Sequence, residues 1–345
     1  MTIKPPTFWR HGNHAPWPTL LTPLSAIVAA VTARRLAHPG WHAPVPVICC
    51  GNVTVGGAGK TTLALDLAYR LRARGVAVHI LLRGYGGTAR GPLRVAPDDP
   101  AALVGDEALL LAKVAPTWIG ADRAASARAA IAAGAGFLLL DDGLQNPTLA
   151  KDLSLLVIDG ASGFGNGHVL PAGPLREPVA ACAARCQAAV LIGPDATGTI
   201  AHLPPGLTLL RAHLAPGPEV VSLIGKRVLA FAGIARPEKF FDGLAQAGVA
   251  VVARRRFPDH HPFTDRELRD LIETANRVEA IAVTTPKDAV RIPPASRAQI
   301  QTVGVGLAWE DAAAIERLLD QVGARPSSAP GPRIIEPPTV TPQGG

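Results

Sequence analysis

The sequence predicts an α/β protein with two parallel-sheet units, each covered by helices on both faces. Three observations carry that expectation. Short apolar runs alternate with helix-length stretches, a glycine-rich loop links one such run to the helix after it, and the alternation restarts beyond a Pro-Gly-Pro turn. A chain of 345 residues has room for both units, since a domain takes roughly 150.

The first element is an amphipathic segment. Thr22 and Pro23 suit the N-cap and first position of a helix. Leu20, Leu21, Leu24, Ile27, Val28 and Val31 then fall on one stripe of a 3.6-residue period. Arg34 and Arg35 end it, where cations complement the helix dipole. Two readings stay open here: a helix packed on its own domain, or one lying in a membrane interface with Trp9 and Trp17 near the headgroups. No apolar run reaches the roughly 18 to 20 residues of a spanning helix, which excludes an integral membrane protein.

A buried strand follows at 45–50, then a loop at 51–59 and a helix at 60–74. Further strands are expected at 76–82, 137–140, 153–158 and 188–192, with helices at 107–113 and 123–133. Apolar runs at 207–214 and 220–223 flank Pro216-Gly217-Pro218 and read as a hairpin linker. The second unit repeats the pattern, with strands at 227–232, 249–253, 280–284 and 301–305 and helices at 237–247, 265–275 and 310–319. The expected organisation is therefore an N-terminal segment at 1–40, a larger domain at 41–206, a linker at 207–224, a smaller domain at 225–323 and a tail at 324–345. The tail is rich in Pro, Ser and Gly and reads as disordered.

A net charge of +7 favours anionic partners without choosing among nucleic acid, nucleotide phosphates and an acidic membrane surface. The densest basic run, Arg254-Arg255-Arg256, reads as a solvated face. Cys49, Cys50, Cys182 and Cys186 form no CxxC pair, which argues against a zinc site or disulfide framework and for a reduced, cytoplasmic protein. No cleavable signal precedes the first element.

The chemistry concentrates in Gly51-Asn52-Val53-Thr54-Val55-Gly56-Gly57-Ala58-Gly59-Lys60-Thr61-Thr62, set between a strand and a helix. Small residues there let backbone N–H groups approach a phosphate. Lys60 reaches the β- and γ-phosphates, Thr61 holds Mg²⁺, and the helix N-terminus adds its dipole. The strict motif has Gly at position 54, where this chain has Thr54, but the glycines beside Lys60 and the strand-loop-helix context keep the reading of a nucleoside triphosphate site. Asp141 and Asp142, at the end of an apolar strand, supply the carboxylate that such a site needs for its metal. For the attacking hydroxyl, a base could come from Asp106 and Glu107 or from Asp259-His260-His261. Asp106 fits equally well as a helix N-cap, and the triplet as a metal site or a polar turn. Spacing alone does not bring residues 106 and 260 together.

These segments resemble the tetraacyldisaccharide 4′-kinase family, in order and across about residues 20 to 320. The matching stretches are GNVTVGGAGKT at 51–61, LLRGYGG at 81–87, VGDEALLLA at 104–112 and DDGLQN at 141–146, then GNGHVLPAGPLREP at 165–178, FAGIARPEKFF at 231–241, FPDHHPFT at 257–264 and TTPKDAVR at 284–291. The family also carries Ser or Thr at position 54. Thr62 and Leu144 stand where many members have Pro and Phe.

The resemblance implies two Rossmann-like α/β/α domains, the first a P-loop kinase domain, joined by a β-hairpin linker. It implies an ATP- and Mg²⁺-dependent kinase acting on a tetraacyldisaccharide 1-phosphate lipid, forming lipid IVA at the cytoplasmic face of the bacterial inner membrane. Association would be peripheral, with no nucleic acid and no obligate protein partner, and the interfacial reading of the first helix gains weight. Thr54, Val55, Gly56, Gly57, Ala58, Gly59, Lys60, Thr61 and Thr62 would bind ATP, with Tyr85 and Gln145 nearby. Thr61, Asp141, Asp142, Glu107 and Glu177 would serve the metal. Asp106, paired with His260, would act on the 4′-hydroxyl, with Lys60 and Arg176 stabilising transferred charge.

Rival readings are a nucleotide-gated switch or metallochaperone, a phosphoesterase using Asp259-His260-His261, and a nucleic-acid binder. The first lacks metal-handling Cys or His pairs, the second leaves the loop at 51–59 idle, and the third has no aromatic platform.

Overall fold

A computed structural model describes residues 5–13 and 16–323; the tail expected at 324–345 lies outside them. Helix α1 (Trp17–Leu36) precedes β1 (Val47–Gly51), α2 (Lys60–Ala73), β2 (Val78–Leu82), β3 (Leu93–Arg94), α3 (Ala101–Val104) and α4 (Asp106–Ala112). Then come β4 (Thr117–Ile119), α5 (Arg123–Ala132), β5 (Phe137–Asp141), β6 (Leu153–Asp159), α6 (Val179–Ala183), β7 (Ala188–Ile192) and β8 (Thr208–Pro216). A second run holds β9 (Arg227–Ala232), α7 (Pro237–Gln246), β10 (Ala250–Arg256), α8 (Asp265–Arg277), β11 (Ile281–Thr284), α9 (Pro286–Ala289), α10 (Pro294–Arg297) and β12 (Gln301–Thr302). β13 (Val305–Trp309) and α11 (Ala312–Gln321) close the described chain.

The α/β class is as expected. The large sheet has nine strands in the order β13-β8-β7-β6-β1-β5-β2-β4-β3, parallel except at its two edges, where β13 runs against β8 and β3 against β4. Alternate residues of β1 enter opposite faces: Ile48 and Cys50 pack with α2, Val47 and Cys49 with the layer behind. That two-sided burial is why the central strands read as continuous apolar runs. Leu63, Leu67 and Leu71 turn the buried stripe of α2 onto the sheet. The second sheet, β10-β9-β11-β12, is wholly parallel and has its own clusters on both faces.

Several expectations are corrected. The residues at 207–224 form no hairpin: β8 pairs with β7 and, across the sequence, with β13, while Pro218–Leu223 is a 3₁₀ turn. The apolar side chains of 207–214 belong to the large sheet, where Leu210 and Ala212 are buried, whereas Val220 and Leu223 pack in the core of the second sheet. The smaller unit does not extend to 323 either. β13 and α11 return to the large sheet, where Ile315, Leu318 and Leu319 join the α2 core. Arg70 of α2 and Arg74 at its C-cap clasp Glu316, and Trp309 Nε1 donates to Asp66 at 3.1 Å. The second sheet is thus an insertion between two neighbouring strands of the first.

Helix α1 starts at Trp17, ahead of the expected Thr22-Pro23 cap. Pro18 sits in its first turn, with the preset φ that suits a helix start, and Pro23 lies inside. Pro23 has no N–H for the carbonyl four residues back; one residue away, Thr22 Oγ1 donates to Pro18 O at 2.9 Å. The amphipathicity is inverted. Trp17, Leu20, Leu24, Ile27 and Val31 are exposed, whereas Ser25 is buried, donating to Val169 O at 2.7 Å and accepting from Ala172 N at 3.2 Å. A helix packed by its apolar stripe on its own domain is therefore not what forms. Trp9 does not share the exposed face; its Nε1 donates to Pro171 O at 3.1 Å. Finally, α1 is long and apolar enough by length and composition to cross a membrane, so the exclusion drawn from apolar runs does not stand.

The basic run at 254–256 ends β10, an edge strand, with Arg254 and Arg256 paired to Glu238 and Asp242 in solvent. All four cysteines are buried and free.

Candidate active site

β1 and β5 are neighbours, with Cys50 opposite Asp141, and their onward connections leave toward opposite sides of the sheet. A crevice opens at such a point beyond the carboxyl ends of the strands. The loop at 51–59 rises from β1 into this crevice. Its organiser is Asn52, which is buried: its Nδ2 donates to Thr54 Oγ1 at 3.1 Å and its Oδ1 accepts from Lys60 Nζ at 3.1 Å. Gly59 takes φ +90° at the N-cap of α2, where a Cβ would come within 2.6 Å of Ile192. Gly56 has φ +120°, and a Cβ there or at Gly57 would meet nothing within 4 Å. The crown of the loop is open to a ligand. Ala58 is buried in the core and Thr62 is already helical, so any contact from Ala58 comes through backbone.

A second segment laces onto this loop. Val55 N donates to Pro174 O at 2.8 Å and Arg176 N to Val53 O at 2.7 Å, which delivers Arg176 to the crevice. Arg176 makes a two-pronged pair with Asp142, at 2.9 Å to Oδ1 and 3.1 Å to Oδ2, and also donates to Gln145 Oε1 at 3.2 Å. Gln145 Nε2 donates to Asn52 O at 3.0 Å and to Glu177 Oε1 at 2.9 Å. Glu177 is buried and both its oxygens accept from Arg185. Gln145 and Glu177 thus form a supporting layer under the loop, with their polar atoms already engaged.

Thr61 Oγ1 donates to Asp141 Oδ2 at 2.8 Å, and Lys60 Nζ lies 3.7 Å from Asp142. Asp141 is buried, and its Oδ1 has no hydrogen-bond partner. Burial, with the charge of Glu107 next in importance, pushes its pKa up to about 7 against the pull of Lys60 and Thr61. An orphaned carboxylate oxygen beside a hydroxyl and a second carboxylate is a donor set that fits a hard, oxygen-seeking cation.

Glu107 reaches this cluster from the first turn of α4, and Asp106 stands beside it. Gly105, not Asp106, caps that helix. The carboxylate of Asp106 turns instead to the other sheet, where His260 Nδ1 is 2.7 Å from its Oδ2. His260 holds φ +60° in the loop after β10, with its N–H on Gly233 O at 3.1 Å. The two residues that spacing could not join are thus in contact. Arg291 Nε lies 3.3 Å from Asp106 Oδ2. Burial works to raise the pKa of Asp106, but the bond from His260 and the Arg291 charge outweigh it and hold the carboxyl below its usual range.

Tyr85 leaves its ring in solvent, with its backbone against Gly105. His261 turns away, 3.0 Å from Glu267 and stacked on Phe257. Among the described residues no group of three or more His, Cys, Asp or Glu side chains gathers to hold a metal, so Asp259-His260-His261 does not form the centre that a phosphoesterase of that type needs. Sequence reasoning missed Asn52, Arg291 and Lys287. Asn52 lies inside the motif, and Lys287 and Arg291 are one helical turn apart in a stretch already singled out.

A family model described as tetraacyldisaccharide-1-P 4′-kinase matches residues 17–323. The tetraacyldisaccharide 4′-kinase of Gluconacetobacter diazotrophicus is 61% identical over 317 residues, covering 91% of this chain and 97% of that protein. The enzyme of the same name from Gluconobacter oxydans is 54% identical over 93% of this chain and 98% of its own length. The crystal structure of LpxK from Aquifex aeolicus in complex with ATP superposes with a TM-score of 0.70 at 25% identity, over 88% of this chain and 99% of that one.

Proposed function

The chain belongs to the tetraacyldisaccharide-1-P 4′-kinase family, and from that premise we propose how its residues carry out the reaction. It is an ATP-dependent phosphotransferase that phosphorylates the 4′-hydroxyl of a tetraacylated glucosamine disaccharide 1-phosphate, giving lipid IVA in lipid A biosynthesis. The observation that carries the residue assignment is the convergence of the Lys60–Thr61–Asp141 cluster, which feels the charge of Glu107, and the Asp106–His260 pair on two adjacent residues at the start of α4.

Backbone N–H groups of 56–62 and Lys60 bind the triphosphate, with Thr54 and Val55 shaping the loop and the open crown at Gly56 and Gly57 admitting the ligand. Thr61 and Asp141 are the residues to hold Mg²⁺, with Glu107 and Asp142 next to them; the ion supplies charge neutralisation at the transferring phosphoryl group. Arg176 neutralises Asp142 now and is placed to turn its guanidinium to phosphate oxygens. Gln145 and Glu177 keep the loop in shape. Asp106 accepts the proton of the sugar hydroxyl, with His260 and Arg291 orienting its carboxylate. Phosphoryl transfer depends chiefly on such positioning and charge.

The exposed stripe of α1 enters the membrane interface, with Arg34 and Arg35 at lipid phosphates, so the enzyme works peripherally on the cytoplasmic face of the inner membrane. The two sheets act as separate domains that close over ATP, hinged at the β8 and β13 crossings. Unchanged small-angle scattering on adding a non-hydrolysable ATP analogue would count against that closure. Transfer of labelled γ-phosphate from Mg-ATP to the tetraacylated disaccharide 1-phosphate in micelles tests the site, with Lys60→Ala as the blank. Label in the lipid from wild type alone supports the assignment; equal labelling by Lys60→Ala removes Lys60 from it.

A further inference from the structure

The Asp106–His260 pair accounts for one ring nitrogen of His260. The other, Nε2, lies 3.4 Å from Lys287 Nζ. An ammonium has three donors and no lone pair, so a hydrogen bond between these atoms requires Nε2 to be unprotonated. In the neutral ring the proton then sits on Nδ1, 2.7 Å from the Asp106 carboxylate that accepts it. Both neighbours demand the same tautomer.

Asp259 frames the alternative. Its Oδ2 is 3.8 Å from His260 Nε2 and its Oδ1 is 3.8 Å from Lys287 Nζ. That Oδ1 is buried with no hydrogen-bond partner, so Asp259 balances the Lys287 charge without capturing the ring. A protonated Nε2 would have to face Asp259 and expel the ammonium. Arg291, held by Asp288 at 2.7 Å and by the carbonyls of His261 and Gly233, supplies the remaining charge and faces Asp106 rather than the ring. The groups around the imidazole are therefore Asp106, Asp259, Lys287 and Arg291, and Lys287 is the one that meets Nε2.

We infer that Lys287 is a positioning residue for phosphoryl transfer, its ammonium holding His260 in the neutral form protonated on Nδ1, so that the ring donates to Asp106 and never competes with it for the substrate proton. This rests on the reading of Asp106 as the base. His260 and Arg291 engage Oδ2 of Asp106, which leaves Oδ1 for the sugar hydroxyl. In the transfer, the hydroxyl oxygen bonds to the γ-phosphorus, the bond from that phosphorus to the bridging β-phosphate oxygen breaks, ADP leaves, and the hydroxyl proton passes to Asp106. An Nε2-protonated ring would present a lone pair on Nδ1 to the carboxylate and push it out of place.

Long-range ¹H–¹⁵N correlation spectra of the full chain in detergent micelles test this, with His260 assigned by the signal lost in His260→Gln. Wild type is expected to show protonated Nδ1 and bare Nε2. Lys287→Met, similar in length but without donors, should lose that pattern and cut kcat by about tenfold or more with KM for ATP unchanged. Lys287→Arg, again donor-only, should restore the pattern and most of kcat. A protonated Nε2 in wild type overturns the inference, whether or not any variant folds. So does an unchanged ring pattern in Lys287→Met, or a rise confined to KM for the lipid, which would place Lys287 on the substrate instead. Wild-type kcat in Asp106→Ala would sink the reading of the base, an outcome separate from the state of the His260 ring.

Discussion

Replacing Leu20 and Ile27 together by Gln should release the protein from membranes while leaving its fold intact. Both side chains lie on the outer stripe of α1, 67% and 61% exposed. Burying a whole Leu or Ile side chain is worth about 1.5–3 kcal/mol, so transferring these exposed fractions into lipid contributes about 2–4 kcal/mol for the pair. At about 1.4 kcal/mol per tenfold, the variant's partitioning should fall roughly 30- to 700-fold. Gln keeps nearly the helix propensity of Leu, and exposed positions of this kind change stability by about 0.5 kcal/mol or less. Flotation on vesicles containing anionic lipid, scored beside thermal unfolding in detergent-free buffer, measures both. The residual binding should depend more on salt than that of wild type, since Arg34 and Arg35 would carry a larger share of it beside Trp17, Leu24 and Val31. Equal flotation of variant and wild type would refute the reasoning, because Leu20 and Ile27 are the two most exposed apolar side chains of the α1 stripe.

Asp106→Ala and His260→Ala should each lower turnover by roughly 10²- to 10⁴-fold while nucleotide binding, followed by a fluorescent ATP analogue, is retained; loss of binding in both would break the assignment. Mg²⁺ affinity in the presence of that analogue should be roughly tenfold weaker at pH 6 than at pH 8, because the cation takes the ionised carboxylate and Asp141 is pushed up to about 7. The sign for folding is opposite to that of a salt-bridged carboxylate. Without metal, the stabilisation from protonated Asp141 is present below its unfolded value and lost as pH rises through about 7, and Asp141→Asn should flatten both profiles. Leu319→Ala should cost about 2–5 kcal/mol, seen as a lower denaturation midpoint, if α11 closes the α2 core as its full burial indicates; a midpoint like that of wild type would leave α11 a mere appendage.

The interiors of both sheets were legible because central parallel strands must be apolar on both faces, as Val47–Gly51 and Phe137–Asp141 are. Where the chain changed sheets was not. β13 and α11 carry the same local pattern as their neighbours, and only pairing with β8, some ninety positions earlier, assigns them. The hairpin expected at 207–224 failed for the same reason: a Pro-Gly-Pro turn marks a reversal without saying which strand lies alongside. The phosphate loop was readable because its chemistry is contiguous, from Gly51 to Thr61. The Asp106–His260 contact joins two chain segments that no periodicity relates, so resemblance alone suggested it. Asn52, Lys287 and Arg291 were passed over because a polar residue reveals its role only once its burial and its partners are known.

The segment at 166–176 keeps α1 and the phosphate loop in register. On one side it holds the N-terminal elements: Asn166 bonds Phe8 O at 2.9 Å, Pro171 O receives Trp9, and Val169 O and Ala172 N grip Ser25 from within α1. On the other side Pro174 O and Arg176 N are stitched to Val55 and Val53 of the phosphate loop. A displacement of α1 is therefore passed to the loop through about ten residues of backbone, with no domain boundary in between. The hydroxyl end has no such tether. Asp106 and His260 come from different sheets, which also meet where Arg291 faces Asp106 and where Asp159 pairs with Arg236 and Lys239. With the phosphate loop tied to α1, and Asp106 meeting His260 only across two sheets, the base proposed above is complete only when both sheets are in contact.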